Sequence, residues 1–176
     1  MNTHRSVLCA LLCFAAIGFA LAQQGESVEK IGVYDSRSIA IAYGGSKFFT
    51  EKLDGMFKQH KEAEAAGDEE LAAEVAGDLQ ALQEQMHKQG FSTAPVDDIL
   101  EHIKDRIPGI MESHGVTALV SKWDEEGLAA HVSAEQVDLT MELVKALDPE
   151  EKQLKGAREI MKQEPVPLEE MKEHHH

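Results

Sequence analysis

Apolar and polar positions alternate from Lys30 to Asp35, with Ile31 and Val33 on one side and Gly32 and Tyr34 on the other, which predicts a short strand. Ser36 to Tyr43, carrying Ile39, Ala40, Ile41 and Tyr43, fits either a continuation of that strand or a turn of helix. Gly44 and Gly45 interrupt the pattern, and Ser46 stands where a helix N-cap belongs. The period then changes. From Lys47 to about Ala65, the positions Phe49, Leu53, Met56 and His60 recur at helical spacing, and from Glu69 to about Lys88 the positions Val75, Leu79, Leu82 and Met86 do the same. Gly67 supplies a reversal between them and Asp68 a second cap. Two narrow seams joined by so short a turn predict an antiparallel helical hairpin with the seams facing each other.

Gln89 to Pro95 breaks the second helix, and Pro95 suits the first position of a third. Ile99, Ile103, Ile107, Ile110 and Met111 mark its buried face, Pro108 kinks it and Gly115 ends it. Val116 to Trp123 alternates as a strand does, Asp124 to Gly127 is turn chemistry, and Leu128 to Val132 reads as a third strand completing a β-hairpin. Ser133 or Ala134 then opens a helix whose buried candidates are Val137, Leu139, Met141, Leu143, Val144 and Leu147. Asp148 and Pro149 punctuate, a further helix runs to about Gln163, and Pro165 and Pro167 stop it. The fold class expected is α+β: a small β-sheet body with a long antiparallel helical hairpin, from about 46 to 114, and flanking helices.

The ends of the chain fix the expected compartment. His4 and Arg5 precede an almost wholly apolar run from Val7 to Leu21, and Ala20-Leu21-Ala22 offers small residues at the right places for cleavage after Ala22. That is the pattern of a secretory signal peptide over residues 1–22, followed by a polar leader over 23–29. A membrane anchor fits less well, because about 15 apolar residues fall short of the roughly 20 that span a bilayer. A lipoprotein cysteine fits poorly too, because Cys9 and Cys13 both follow Leu. Cleavage removes both cysteines, so an exported, periplasmic chain would carry neither disulfide nor thiolate. The formal net charge is −15, with 32 acidic and 17 basic residues, and becomes −16 once Arg5 is lost. Such a chain repels phosphate backbones, which argues against a nucleic-acid partner.

Chemistry-bearing motifs are sparse. Gly44-Gly45-Ser46-Lys47 lacks the glycine spacing of a phosphate loop and the Gly-x-Ser-x-Gly of a nucleophile elbow, so Ser46 reads as a cap. His60, His87, His102, His114 and His131 show neither His-x-x-x-His nor His-Glu-x-x-His spacing. No catalytic, metal or cofactor site is nominated, and the chain reads as a binding protein rather than an enzyme. Phe48, Phe57 and Phe91 fall beside the helical seam or in the break after it, and with Met56 and Met86 they form the candidate surface for an apolar client.

Three segments carry a family resemblance. Lys30-Ile-Gly-Val-Tyr-Asp-Ser-Arg37 resembles the opening Lys-Ile-x-Val-x-Asp of the Skp/OmpH periplasmic chaperones, and Gly115-Val-Thr-Ala-Leu-Val-Ser-Lys-Trp123 is similar to their late strand. Val137-Asp-Leu-Thr-Met-Glu-Leu-Val-Lys-Ala-Leu147 resembles their closing helix, so the likeness spans residues 30–147, with 148–176 as a C-terminal helical extension and tail. In that family short strands from three subunits assemble a body from which helical hairpins project around an unfolded client. The resemblance implies a homo-oligomer, with Ile31, Val33, Leu119 and Val120 on its oligomerisation strands. It also implies an exported, ATP-independent holdase for unfolded envelope or outer-membrane proteins, not membrane-spanning once the signal is cleaved. The acidic surface and the extension after Leu147 motivate a second reading, a cell-envelope structural or interaction module that binds one folded partner.

Overall fold

The computed structural model describes residues 28–172. The expected signal peptide, both cysteines, most of the leader and His174, His175 and His176 lie outside the described residues.

The strand β1 (Lys30–Tyr34) is followed by helices α1 (Ser36–Tyr43), α2 (Lys47–Ala66), α3 (Glu69–Phe91), α4 (Asp97–Leu100) and α5 (Ile107–His114), with a 3-10 turn at Glu101–Ile103. Then come β2 (Ala118–Ser121), α6 (Glu125–Ala130), β3 (Glu135–Asp138), α7 (Thr140–Ala146) and α8 (Glu151–Ile160). The sheet has the order β2-β1-β3, and β1 is parallel to both neighbours. Ile31 lies opposite Ala118 and Gln136, and Val33 opposite Val120 and Asp138.

This arrangement corrects the expected architecture. Among the described residues the chain is mostly helical, with eight α-helices and one small parallel sheet, still α+β in class. The long hairpin spanning about 46–114 does not form, because residues 97–114 break into short helices that fold back on the body instead of returning alongside α2 and α3. Burial explains the break: Val96, Ile99, Leu100 and Ile103 enter the main core with Ile39, Leu143, Val144 and Leu147. Fully burying side chains of this size stabilises by roughly 1.5–3 kcal/mol each.

Other expectations change for local reasons. Ser36 to Tyr43 is helix, because the Asp35 side chain accepts a hydrogen bond from the Arg37 backbone N–H and caps it. Leu128 to Val132 is not a strand. Asp124 accepts from the Gly127 N–H at 3.0 Å and starts α6 instead, so no β-hairpin follows Val116 to Trp123. The helix expected from Ser133 or Ala134 begins only at Thr140, and Val137 sits in β3. Pro95 precedes α4, whose N-cap is Val96, and Pro108 lies in the first turn of α5, where its missing N–H costs nothing.

The two faces of the sheet have different cores. Ile31, Val33 and Val120 form a small cluster with Ala118, Leu128 and Ala134, and Tyr34 and Leu119 join the main helical core on the other face. Gly32 leaves room for Leu139, which follows β3 beside β1, since a Cβ there would lie 2.5 Å from Leu139 Cδ1. At the centre is α1, packed against α3, α7 and α8. Its small residues permit close approach, and Ser38 Oγ donates to the Ala157 carbonyl of α8 at 2.8 Å. Arg37, only 1% exposed, makes a two-pronged pair with Asp35 (Nε–Oδ1 3.1 Å, Nη2–Oδ2 2.8 Å) and donates from Nη1 to the Gln163 carbonyl at 2.9 Å.

Burial, reinforced by the Asp97 and Asp124 carboxylates, pushes the Tyr34 phenol up to about 12, and burial likewise raises Tyr43. The neutral phenol is the form favoured on folding. The Tyr34 contribution is therefore complete below pH 10 and is lost as pH rises from about 10 to about 12, a loss of roughly 2–3 kcal/mol. Alkaline difference absorbance on Tyr43→Phe should show the Tyr34 phenol still protonated at pH 10 in the folded protein, and urea midpoints should fall across that window less steeply in Tyr34→Phe.

Candidate functional site

The site is the arm formed by α2 and α3. Ser46 Oγ accepts from the Phe49 N–H at 3.4 Å and donates to the Tyr43 carbonyl at 2.8 Å, so the cap that starts α2 also ties it to α1. At the far end Gly67 takes the left-handed conformation with φ 71°, which glycine adopts without a Cβ penalty, and Asp68 caps α3 through the Leu71 N–H at 3.1 Å. Between these fixed points the packing is incomplete. Ala63 is the one buried residue of α2, facing an α3 that buries Val75 and Leu82.

The gap is an open cleft of about 510 Å³ walled by Phe49, Leu53, Phe57, Leu79, Leu82 and Met86, with Gln80, Gln83 and His87 also lining it. Its cause is the size of the residues on α3. Ala76 lines the cleft with a single methyl, so nothing large covers Phe57, which remains 56% exposed. Charged pairs elsewhere on the arm, the exposed Lys58–Glu62 at 3.8 Å and the half-buried Lys88–Glu84 at 4.0 Å, are helical neighbours that contribute little stability.

Of the candidate client residues, the structure brings Phe57 and Met86 together in this cleft. Met86 also reaches a second hollow beside Phe91, which is 49% exposed at the end of α3 and edge-on to His87 with centroids 6.1 Å apart. Phe48 is elsewhere, half-buried against the main core and stacked on His102 at 5.1 Å. Met56 is half-buried on α2 outside the cleft wall. Leu79 and Leu82 belong to the cleft although their heptad spacing reads as a closed seam. The four candidate oligomerisation residues face inward: Ile31, Val33 and Val120 are buried within one chain, and Leu119 packs on the main core. The outer edges of β2 and β3 are the unpaired margins of the sheet.

The buried Asp35–Arg37 pair escaped the sequence reading, although two opposite charges directly after an apolar strand were its signal. Among the described residues no three His, Asp or Glu side chains converge as a metal site, and no helix is long and apolar enough to cross a membrane.

The fold and the site together define a mostly helical α+β body carrying a two-helix arm with an apolar cleft. No family model, curated protein or solved structure matches the chain.

The two sides of the cleft should differ in stability when truncated. Leu82→Ala, at a buried position, should cost about 2–4 kcal/mol in urea denaturation. Phe57→Ala should cost under about 1 kcal/mol, because the side chain is already largely in water. Equal losses would mean that Phe57 is part of the arm's own packing.

Proposed function

We propose that this chain is an exported, ATP-independent holdase-type protein that binds unfolded envelope or outer-membrane polypeptides. The observation that carries the reading is the cleft of the arm, an apolar trough with Phe57 standing in solvent on an otherwise charged pair of helices. An unfolded chain presents isolated apolar side chains, and a trough lined by Phe, Leu and the adaptable Met86 offers each a weak, non-directional contact. No chemistry is required. The net charge, −15 for the full sequence and −16 once Arg5 is lost, keeps protein and complex soluble while the apolar contacts are made. The resemblance of residues 30–37, 115–123 and 137–147 to the Skp/OmpH chaperones points the same way.

A second reading rests on the size of the trough. About 510 Å³ accommodates one or two large side chains, as suits a single anchor from one folded envelope partner.

The two readings separate in one experiment. A chaperone should suppress aggregation of a urea-denatured outer-membrane β-barrel protein diluted into buffer, without ATP and in a stoichiometric manner. Phe57→Ser should lose most of that suppression while keeping its far-ultraviolet circular dichroism. Absence of suppression by the folded protein, with one stoichiometric partner retained from envelope extract by the wild type and not by Phe57→Ser, would replace the holdase with the interaction module.

A further inference from the structure

A second cleft, distinct from the one in the arm, opens at the carboxyl edge of the sheet. Because β1 and β2 run parallel and in register, Tyr34 and Ser121 end side by side, and the chain leaving β2 turns through Trp123 and Asp124 at the same edge. The segment joining α3 to α4 closes the opposite wall with Thr93, Pro95 and Asp97, enclosing about 370 Å³. Ligands of parallel sheets bind at this kind of position, outside the carboxyl ends of adjacent strands.

The lining has a definite polarity. Tyr34, 7% exposed, has its phenol in this cleft and makes no hydrogen bond with it to protein among the described residues. The Asp97 and Asp124 carboxylates both act on that phenol and help to keep it protonated. No Lys, Arg or His lines the cleft, so neither carboxylate meets a cation within it. Trp123 supplies an aromatic wall, held in place by the Arg37 guanidinium 5.0 Å from its ring centroid.

We propose that this cleft binds a small organic cation, a primary ammonium or a guanidinium group. Such a group brings several N–H donors to a place that offers the two carboxylates and the Tyr34 oxygen as acceptors and an aromatic face as a wall. A bare metal ion fits less well, since two carboxylates and a neutral phenol do not make up the ligand set of a protein metal site, and no three metal-binding side chains meet among the described residues. The cation has two possible sources, a free amine or the side chain of a Lys or Arg on a polypeptide. The site is independent of the reading proposed for the arm.

Trp123 is the single tryptophan of the chain, so its fluorescence reports on this cleft alone. Titrating the whole protein with 1,4-diaminobutane and, separately, with Nα-acetyl-lysine-N-methylamide at constant ionic strength should give a saturable change with at least one of them. A stronger response to the diamine assigns a free amine, and a stronger response to the lysine derivative assigns a polypeptide side chain. Asp97→Asn combined with Asp124→Asn should weaken the response about ten-fold or more. The amide that replaces the Asp124 carboxylate keeps an oxygen for the Gly127 N–H, and a wild-type circular dichroism spectrum checks that the double variant is folded. Phe57→Ala should leave the response unchanged. No saturable change with either probe, or the same change in the double variant, would overturn the proposal.

Discussion

The body of this protein depends on a buried ion pair two residues wide. Asp35 leaves the central strand, caps α1 and holds the Arg37 guanidinium through two hydrogen bonds, and Arg37 in turn reaches the Gln163 carbonyl beyond α8 and lies over Trp123 beyond β2. Asp35 is further tied to the third strand's exit, where Thr140 Oγ1 accepts from its backbone N–H at 3.0 Å. Four segments far apart in the chain thus meet at one charged pair. Two charges taken out of water are costly, and the cost is offset only where geometry is good and further hydrogen bonds are made; here each of the three guanidinium nitrogens has an acceptor. The constraint is a positional one: a helix, a strand exit and the C-terminal segment must be in place together for the pair to be tolerated.

That constraint separates a closed body from an open arm. Around α1, apolar residues are fully buried and the segment after Leu147, whose role the sequence left undefined, covers the Arg37 side of the core through Ala157, Ile160 and Gln163. The arm has no comparable anchor beyond its caps, and α2 and α3 meet through a few small or medium side chains. Its cleft follows from that sparse packing. The sheet likewise closes inside one chain, with β1 flanked on both sides, so its pairing needs no neighbouring subunit; strand pairing with another subunit would use the outer edges of β2 and β3.

Much of the local structure was legible in the sequence because its causes are local. The alternation of Lys30 to Asp35, the Ser46 and Asp68 caps, and the glycine reversals at Gly67 and Gly115 each depend on neighbours within a few residues, and each stands where the pattern placed it. What failed depends on distance. Whether Val116 to Trp123 pairs parallel or antiparallel is decided by helices lying between it and β1, and α6 replaced a strand because one side chain, Asp124, captured a backbone N–H. The arm's cleft was half legible: Phe57 and Met86 stood out from the polar pattern, whereas Leu79 and Leu82 shared the spacing of a closed seam and differ only in what faces them. The carboxyl-edge cleft was not legible at all, since Tyr34, Asp97 and Asp124 are scattered in the sequence and converge only through the fold.

A double-mutant cycle on Asp35 and Arg37, followed by urea denaturation at neutral pH, tests the central claim most directly. Asp35→Asn keeps a side chain able to cap α1, and Arg37→Met keeps most of the apolar volume, so the cycle isolates the charge pairing. Each single change leaves a buried charge without its partner and should cost about 3–5 kcal/mol. The double variant should be destabilised by much less than the sum of the two, leaving a coupling of at least about 2 kcal/mol. Single losses that simply add, to within about 0.5 kcal/mol, would contradict the account, because the two charges would then not be acting as one buried unit.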